Sequence, residues 1–449
     1  MKKIKTIKRL VAVTLGLGVL LSCVNVTENK EKQVVSEQIS VVREYNNPVF
    51  NAFTADEAQS FMNAFVLTDA LMPGRAAAWF GINGSQVFPT EIVPNRQQAK
   101  MMSSNIIPQI GEVTATTKFG EMKLDEFLNH AGSNARGFVV VHKGKIVYEQ
   151  YLGMLESDPH VTASAAKVFA SLLVEVLIEE GQIDEQKTIG DYIPEFEGTH
   201  WDPIKVVDVM DMTTGLDPID GPAHFANPET VSARLLRAEL GEPYNGEVEK
   251  MIDVLKLAQP VCEPGSQFTY SSTATQVLTL LAEAVSGQTW AEAFDQQIWS
   301  KTGAEGSLQV HLSPEGTALA HGFLSIRLRD LARFGMLYTP SWKEIAYEQV
   351  VTPEILERTR APYRDEEFYR AGPSGQTFMD RLGDNTVRTG GRQWDAIWAD
   401  GDFFKSGLNT QGIYVSPDKD LVIAYFSLEP TQQIQKYLRP LVNSGIFNN

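Results

Sequence analysis

The sequence predicts an α+β fold, with an antiparallel sheet built from both ends of the chain and a helical region inserted between them. Two observations predict it. Strand-type runs that form hairpins lie near residue 140 and again near residue 420, whereas the stretch between them is mainly helical in pattern. With 43% hydrophobic and 21% charged residues, the 449-residue chain has an ordinary globular balance and can bury a large core.

Each predicted hairpin has a turn signal between two apolar runs. Residues 137–142 and 145–151 flank a Lys-Gly turn, and residues 412–416 and 420–426 flank Pro417-Asp418. The sequence predicts helices over the ranges 164–180, 203–212, 273–286 and 431–442, with a further helical stretch at 55–71. Residues 216–250 and 358–400 have no strong periodicity, so they are expected to be long loops that border a binding site.

The N-terminus is predicted to be a targeting segment rather than part of the fold. Residues 1–22 combine a basic start with an apolar run of about a dozen residues, too short for a comfortable membrane span. Leu20-Leu-Ser-Cys23 resembles a bacterial lipobox, which implies a lipidated Cys23, and residues 23–44 are then a flexible tether. An ordinary secretory signal or an uncleaved anchor is the alternative. The expected location is the cell envelope, on the periplasmic side of the outer membrane in a Gram-negative cell.

The remaining chain divides into an N-terminal extension at 45–110, expected to pack on the main domain, and the main domain at 111–449. Removing the leader takes away five basic residues and moves the formal net charge from −17 to −22. A surface this acidic disfavours nucleic acid and anionic membranes as partners, so the membrane is expected to be contacted through the N-terminal lipid only. The sequence does not indicate whether the protein is a monomer or an oligomer.

The most informative motif is Ser164-Ala-Ala-Lys167 at the head of a long apolar stretch. On a helix, this spacing places the hydroxyl and the amine on one face, one turn apart. A deprotonated lysine can then take the serine proton, which activates the serine as a nucleophile. The same spacing recurs at Ser416-Pro-Asp-Lys419, but Pro417 and Asp418 predict a turn there, without helical register.

Two further segments supply the groups that such a pair needs. Tyr270-Ser-Ser272 precedes a helix, and a tyrosine beside a lysine-activated serine can relay a proton. Lys405-Ser-Gly407 precedes the C-terminal hairpin and offers a cation, a hydroxyl and backbone N–H groups to an acyl substrate. Other chemistries lack their motifs, since there is no Gly-x-Ser-x-Gly elbow, no zinc-type histidine pair and no phosphate-binding glycine loop. The sequence therefore predicts no metal and no cofactor.

The order Ser-x-x-Lys, Tyr-Ser-Ser, Lys-Ser-Gly resembles the serine β-lactamase and penicillin-binding protein superfamily, in its class C branch. Supporting segments at 209–216, 263–272 and 322–335 resemble further motifs of that branch. The stretch from Trp398 to the Gln411-Gly-Ile-Tyr-Val-Ser-Pro run most resembles the 6-aminohexanoate-dimer hydrolases and related esterases. The resemblance runs from about residue 120 to the C-terminus and implies a β-lactamase/transpeptidase-like fold.

The resemblance also implies roles for the motif residues. Ser164 would attack the carbonyl, Lys167 would be its base, and Tyr270 would carry the proton to the leaving group. The N–H groups of Ser164 and of the residue just past Gly407 would form an oxyanion hole, with Ser406 and Gly407 in the substrate-binding strand. Ser272 stands where the family often has Asn. It would bind Lys167 or the substrate, or else serve only as a helix N-cap.

Lys405 has two readings: a substrate-carboxylate site, as in β-lactam-recognising members, or a solvated surface lysine. The implied function is an exported serine hydrolase that cleaves a small ester or amide through a Ser164 acyl-enzyme. One alternative is a β-lactamase, a D-alanyl-peptide hydrolase or a penicillin-binding protein. The other is a non-catalytic module that binds envelope fragments.

Overall fold

A computed structural model describes residues 53–66, 73–362 and 364–447 of the chain. The predicted signal peptide at 1–22, Cys23 and the tether at 23–44 lie outside the described residues. None of the described helices combines the length and the hydrophobicity needed to cross a membrane.

The main sheet is antiparallel and seven-stranded, and it joins the two ends of the chain. Thirteen strands are described: β1 Thr90–Val93, β2 Thr114–Thr117, β3 Gly120–Lys123, β4 Ala135–His142, β5 Lys145–Tyr151, β6 His160–Val161, β7 Leu308–His311, β8 Leu324–Ile326, β9 Val387–Gly391, β10 Trp394–Trp398, β11 Phe403–Gly407, β12 Gln411–Ser416 and β13 Leu421–Ser427. The main sheet has the order β5-β4-β13-β12-β11-β10-β9. The two ends of the chain meet where β4 pairs with β13, and Val140 lies opposite Ile423 in that pairing. The predicted α+β class and both predicted hairpins are confirmed.

Helices fill the region between the two hairpins. The described α-helices are α1 Ala55–Asn63, α2 Arg75–Asn83, α3 Leu124–Asn129, α4 Lys167–Glu179, α5 Val206–Met210, α6 Pro222–Ala226, α7 Val231–Leu240, α8 Met251–Leu255, α9 Ser272–Ser286, α10 Trp290–Gln297, α11 Leu328–Met336, α12 Trp342–Ile345, α13 Pro353–Arg360, α14 Glu366–Ala371, α15 Gly375–Leu382 and α16 Leu438–Val442. Helix α4 is buried from Lys167 to Leu177 and packs against α9, while α11 covers β13 and β4. A helix with no exposed face at its start can hold a catalytic side chain in the core.

The predicted long loops were wrong. Residues 216–250 contain α6 and α7, and residues 358–400 contain α14, α15, β9 and β10. These elements have five to ten residues each, so each offers a shorter pattern than the 13-residue α4 or the 15-residue α9. Two predicted helices are also shorter than expected: α5 covers only part of 203–212, and 431–442 divides into a 3₁₀ turn at Gln433–Tyr437 and α16.

The described part of the N-terminal extension shares a sheet and a core with the rest of the chain. Strand β1 pairs with β7, with Thr90 opposite His311, in a four-stranded sheet of order β1-β7-β8-β6. Trp79 and Phe80 of α2 are buried in the large hydrophobic cluster that also contains α4. Gly81 approaches so closely that a methyl group there would lie 2.6 Å from His160 Nε2. This close approach fixes how α2 packs on β6.

Candidate active site

Ser164 lies on a short 3₁₀ turn, Ala163–Ala166, that leads directly into α4. The turn is anchored just before it, where Thr162 donates its backbone N–H to Leu324 O at 2.8 Å. Ala163 has a φ of 45°, in the left-handed region that residues with a Cβ seldom adopt. Strained backbone of this kind is often found at functional sites. Ser164 is partly exposed, whereas Ala165 and Ala166 are buried, so its hydroxyl is the accessible group of the turn.

Lys167 begins α4 and is fully buried. Its Nζ lies 3.2 Å from Ser164 Oγ, 2.8 Å from Ser272 Oγ and 2.7 Å from the carbonyl oxygen of His321. Burial lowers the pKa of Lys167 to about 7, an effect that Asp220 opposes. A lysine with this pKa is substantially neutral at physiological pH and can accept a proton from the adjacent serine.

Tyr270 is held from three sides. Its hydroxyl accepts a hydrogen bond from Lys405 Nζ at 2.9 Å, and its backbone N–H donates to Ser374 Oγ at 2.8 Å. The ring of Phe378 meets the Tyr270 ring edge-on, with 5.4 Å between centroids. Burial, and then the charge of Asp395, raise the pKa of Tyr270 well above its usual value. The phenol is therefore protonated at neutral pH and is suited to give a proton.

Lys405 is buried in the sheet and is not a surface lysine, so that reading was wrong. Its ammonium group donates to the Asp395 carboxylate on the neighbouring strand β10, as well as to Tyr270. The other carboxylate oxygen of Asp395 accepts from the backbone N–H of Ser406 at 2.7 Å and from the Ser406 hydroxyl. The Lys405 charge is thus compensated inside the protein, which argues against a carboxylate-binding role for this lysine.

Ser272 lies among the catalytic candidates, and its neighbour Ser271 caps the helix. Ser271 is the N-cap of α9 and accepts from the backbone N–H of Ala274 at 3.2 Å. Ser272 is the first residue of α9, and its hydroxyl contacts Lys167 and Asp220. The reading of Ser272 as the helix N-cap was therefore wrong.

Gly407 ends β11 against the backbone just before Ser164. A Cβ at Gly407 would lie 2.7 Å from the Thr162 carbonyl oxygen, so only glycine fits there without displacing the strand. The close approach brings the end of β11 beside the turn that carries Ser164, and Leu408 is the next residue along the chain. The N–H groups of Ser164 and Leu408 are the candidate oxyanion donors.

Four groups of this network were missed by the motif analysis. Asp220 binds Ser272, Asp395 binds Lys405, the His321 carbonyl binds Lys167, and Ser374 binds Tyr270. Asp220, Ser374 and Asp395 come from the two segments that the sequence left without pattern. Asp395 had a signal, because it is the one charged residue in the otherwise apolar strand Trp394–Trp398.

Across the described residues, no group of three or more histidine, cysteine, aspartate or glutamate side chains could hold a metal ion. Lys167 instead contacts Ser164 and Ser272, and Lys405 contacts Tyr270. A side-chain hydrogen bond between Tyr270 and Ser164 joins the two groups into one set of two amines and three hydroxyls. The chemistry within reach of this set is proton transfer and nucleophilic attack by a hydroxyl.

Comparison with known proteins agrees with this geometry. The family model described as Beta-lactamase matches residues 123–441, which include all the site residues above. A 6-aminohexanoate-dimer hydrolase of Paenarthrobacter ureafaciens is 25% identical over 363 residues, covering 78% of this chain and 85% of that protein.

Solved structures give the same result. A Bacillus anthracis protein provisionally named 6-aminohexanoate-dimer hydrolase has 27% identity and a TM-score of 0.69, covering 82% of this chain and 93% of its own. A class C beta-lactamase mutant has 14% identity and a TM-score of 0.52, covering 72% of this chain and 95% of its own. The second likeness concerns the fold alone. The resemblance inferred from the motifs, in fold and in relatives, is confirmed.

Proposed function

The chain belongs to the beta-lactamase family, as a serine hydrolase similar to 6-aminohexanoate-dimer hydrolase, and from that premise we propose that it cleaves a small ester or amide through an acyl-enzyme on Ser164. The observation that carries the proposal is the 3.2 Å contact between Ser164 Oγ and the buried, partly neutral amine of Lys167. A serine hydroxyl with a neutral amine within hydrogen-bond reach can attack a carbonyl.

In the proposed acylation, Ser164 Oγ attacks the substrate carbonyl carbon as its proton moves to Lys167 Nζ. The carbonyl oxygen becomes an oxyanion and is bound by the N–H groups of Ser164 and Leu408. The carbon–heteroatom bond then breaks, and the leaving group takes a proton through Tyr270. The proton that Lys167 gained restores the Tyr270 phenol, so the acyl-enzyme forms without net proton loss.

Deacylation reverses these roles. Water attacks the Ser164 ester, gives one proton to the Lys167–Tyr270 pair, and releases the acid as Ser164 recovers its own proton. Lys405 assists Tyr270 in both steps. Its Nζ lies 2.9 Å from the phenol oxygen, and its positive charge stabilises any negative charge that develops there.

The substrate class follows from the relatives by analogy. The Paenarthrobacter ureafaciens relative is named for a dimer of 6-aminohexanoate, whose linkage is an amide between unbranched chains. We propose short amides and esters of unbranched acyl groups as the first substrates to test. A panel of p-nitrophenyl esters of increasing chain length and the matching p-nitroanilides would rank them.

Fluorophosphonate labelling tests the acyl-enzyme proposal. The purified domain from residue 45 onward, or the full chain in detergent, should take up the probe on Ser164, as located by peptide mass spectrometry. Ser164→Ala should abolish the label. Ser416→Ala is the matched control, because Ser416 repeats the motif with Lys419 but is a buried residue at the end of strand β12, and this variant should label like the parent. A folded parent that stays unlabelled refutes the proposal.

A β-lactamase or D-alanyl-peptide hydrolase is the second candidate. It is favoured by the Lys-Ser-Gly strand beside the tyrosine, and it is weakened by the Asp395 carboxylate that already compensates Lys405. A chromogenic cephalosporin separates the two candidates. Hydrolysis, or a covalent adduct with the mass of the cephalosporyl group, would support the β-lactamase candidate. The absence of both hydrolysis and adduct would exclude it. Ligand binding that survives Ser164→Ala, without turnover by the parent, would instead indicate a non-catalytic binding module.

We also propose that the protein is exported and lipid-anchored through Cys23, on the basis of the lipobox-like segment. Cells fed an alkyne fatty acid should yield a tagged protein in the membrane fraction. Cys23→Ala should remove the tag, whereas Cys262→Ala should retain it. A tag that survives Cys23→Ala would contradict the anchor.

A further inference from the structure

Asp220 makes three hydrogen bonds to the segment that carries Tyr270 and Ser272. Its backbone N–H donates to the Tyr270 carbonyl oxygen at 3.0 Å. Its Oδ1 accepts from the Ser272 N–H at 3.0 Å, and its Oδ2 accepts from the Ser272 hydroxyl. The single proton of the Ser272 hydroxyl is therefore committed to Asp220.

This commitment determines what Ser272 can offer to Lys167. With its proton on Asp220, Ser272 Oγ presents only lone pairs to Lys167 Nζ, 2.8 Å away. The His321 carbonyl oxygen, 2.7 Å from the same nitrogen, is also an obligate acceptor. A neutral amine has two N–H bonds and one lone pair. Both N–H bonds are thus taken, and the lone pair remains for the third neighbour, Ser164 Oγ at 3.2 Å.

We propose that Asp220 is a positioning residue: by holding Ser272 as a hydrogen-bond acceptor, it aims the lone pair of Lys167 at the Ser164 hydroxyl. Without that carboxylate, Ser272 is free to donate its own proton to the amine. Lys167 would then have its lone pair occupied and could not take the proton of Ser164. The inference rests on the proposed function, because it concerns the base of that reaction.

The charge of Asp220 gives the inference a second, measurable consequence. Burial lowers the pKa of Lys167, and the negative charge of Asp220 is the largest influence that raises it again. The other charged groups that act on Lys167 are Lys405, which lowers its pKa, and Asp395 and Glu239, which raise it. The ring of Tyr270 also faces the amine, with its centroid 5.3 Å from Nζ. Loss of the Asp220 charge should lower the pKa of Lys167 further.

The test measures the second-order rate of fluorophosphonate labelling of Ser164 against pH. Asp220→Asn, which can donate to Ser272 instead of accepting, should lower the plateau rate about tenfold or more and move the midpoint to lower pH. Asp220→Glu should retain most of the rate. Asp217→Asn is the matched control, because Asp217 lies in the same segment but accepts from Gln259 N–H at 2.8 Å, and it should behave as the parent.

A double-mutant cycle with Ser272→Ala isolates the orientation effect. Removing the Ser272 hydroxyl removes the competing donor. Asp220→Asn should therefore lower the labelling rate of Ser164 much less in the Ser272→Ala background than in the parent. Additive losses, or a folded Asp220→Asn variant with the parental rate and midpoint, would overturn the inference. So would an equal loss in Asp217→Asn. Should Asp220→Asn not fold, Asp220→Ser takes its place with the same expectations. A parent that is never labelled refutes the proposed function itself, a distinguishable result.

Discussion

The ammonium group of Lys405 donates a hydrogen bond to the Tyr270 hydroxyl across 2.9 Å, and the Asp395 carboxylate accepts another from the same nitrogen. Lys405 and Asp395 are buried, whereas Tyr270 is partly exposed. The Lys405–Asp395 pair therefore orients Tyr270, while burial, and then the charge of Asp395, raise the pKa of Tyr270 and favour the protonated phenol that the proposed proton donor needs.

Tyr270→Phe tests that assignment through leaving-group dependence. Loss of the phenol should lower the hydrolysis of a p-nitroanilide by about 10² to 10⁴, because the departing amine needs a proton. Hydrolysis of the p-nitrophenyl ester with the same acyl group should fall much less, since p-nitrophenolate leaves without one. The ratio of the two kcat/KM values is the measurement. Equal losses on both substrates would contradict a proton-donating role.

The pH dependence should report Lys167. Because the pKa of Lys167 is about 7 and only its neutral form accepts a proton, kcat/KM for an uncharged ester should rise through about pH 7 and level off above it. Tyr270→Phe should retain that midpoint, because the pKa of Tyr270 lies far above this range. A midpoint below pH 5, or one that disappears in Tyr270→Phe, would show that the rise of kcat/KM with pH belongs to another group.

Asp395→Asn should destabilise the fold. It leaves the buried Lys405 charge without its partner, and breaking one side of a buried ion pair typically costs about 3–5 kcal/mol. Urea unfolding gives the comparison. Asp400→Asn is the control, because Asp400 is 44% exposed and pairs with Arg439 at the surface, so the loss should stay below about 1 kcal/mol. Equal stabilities of the two variants would contradict the prediction.

Gly407→Ala should impair activity more than stability. The new methyl group would lie 2.7 Å from the Thr162 carbonyl oxygen and push the end of β11 away from the Ser164 turn. We expect a cost of about 1–3 kcal/mol in unfolding free energy and a larger fall in Ser164 labelling, because the Leu408 N–H moves with the strand. Gly322→Ala, with 4.0 Å of clearance from the Ala163 backbone, should fold with parental stability. Parental labelling in a folded Gly407→Ala would contradict the oxyanion geometry.

The parts of the site that could be predicted were those encoded over short distances along the chain. Ser164 and Lys167 are three residues apart, so a helical turn brings them together in any fold that keeps the turn. The hairpins were also local, since their turn residues and alternation lie within about fifteen residues. The elements within 216–250 and 358–400 were not predicted, and each of them is shorter than the helices α4 and α9.

The ambiguous residues were those whose environment depends on distant partners. Lys405 could be read as a surface lysine or as a substrate ligand, and burial against Asp395 of the next strand removes the first reading and weakens the second. Ser272 could be read as a cap until Ser271 was found to cap α9. Asp220 carried no signal at all, because its role arises only from contact with Ser272.

The sequence by itself determined the α+β class, the order of the motifs and the candidates for nucleophile, base and tyrosine, because propensity, periodicity and spacing act within one segment. Only the tertiary structure decided the protonation and orientation of those groups. Burial lowers the pKa of Lys167, and burial, followed by the charge of Asp395, raises the pKa of Tyr270. The proposed direction of the Lys167 lone pair depends on the contact of Ser272 with Asp220. Desolvation and hydrogen-bond polarity belong to groups brought together from distant segments, and no local pattern encodes them.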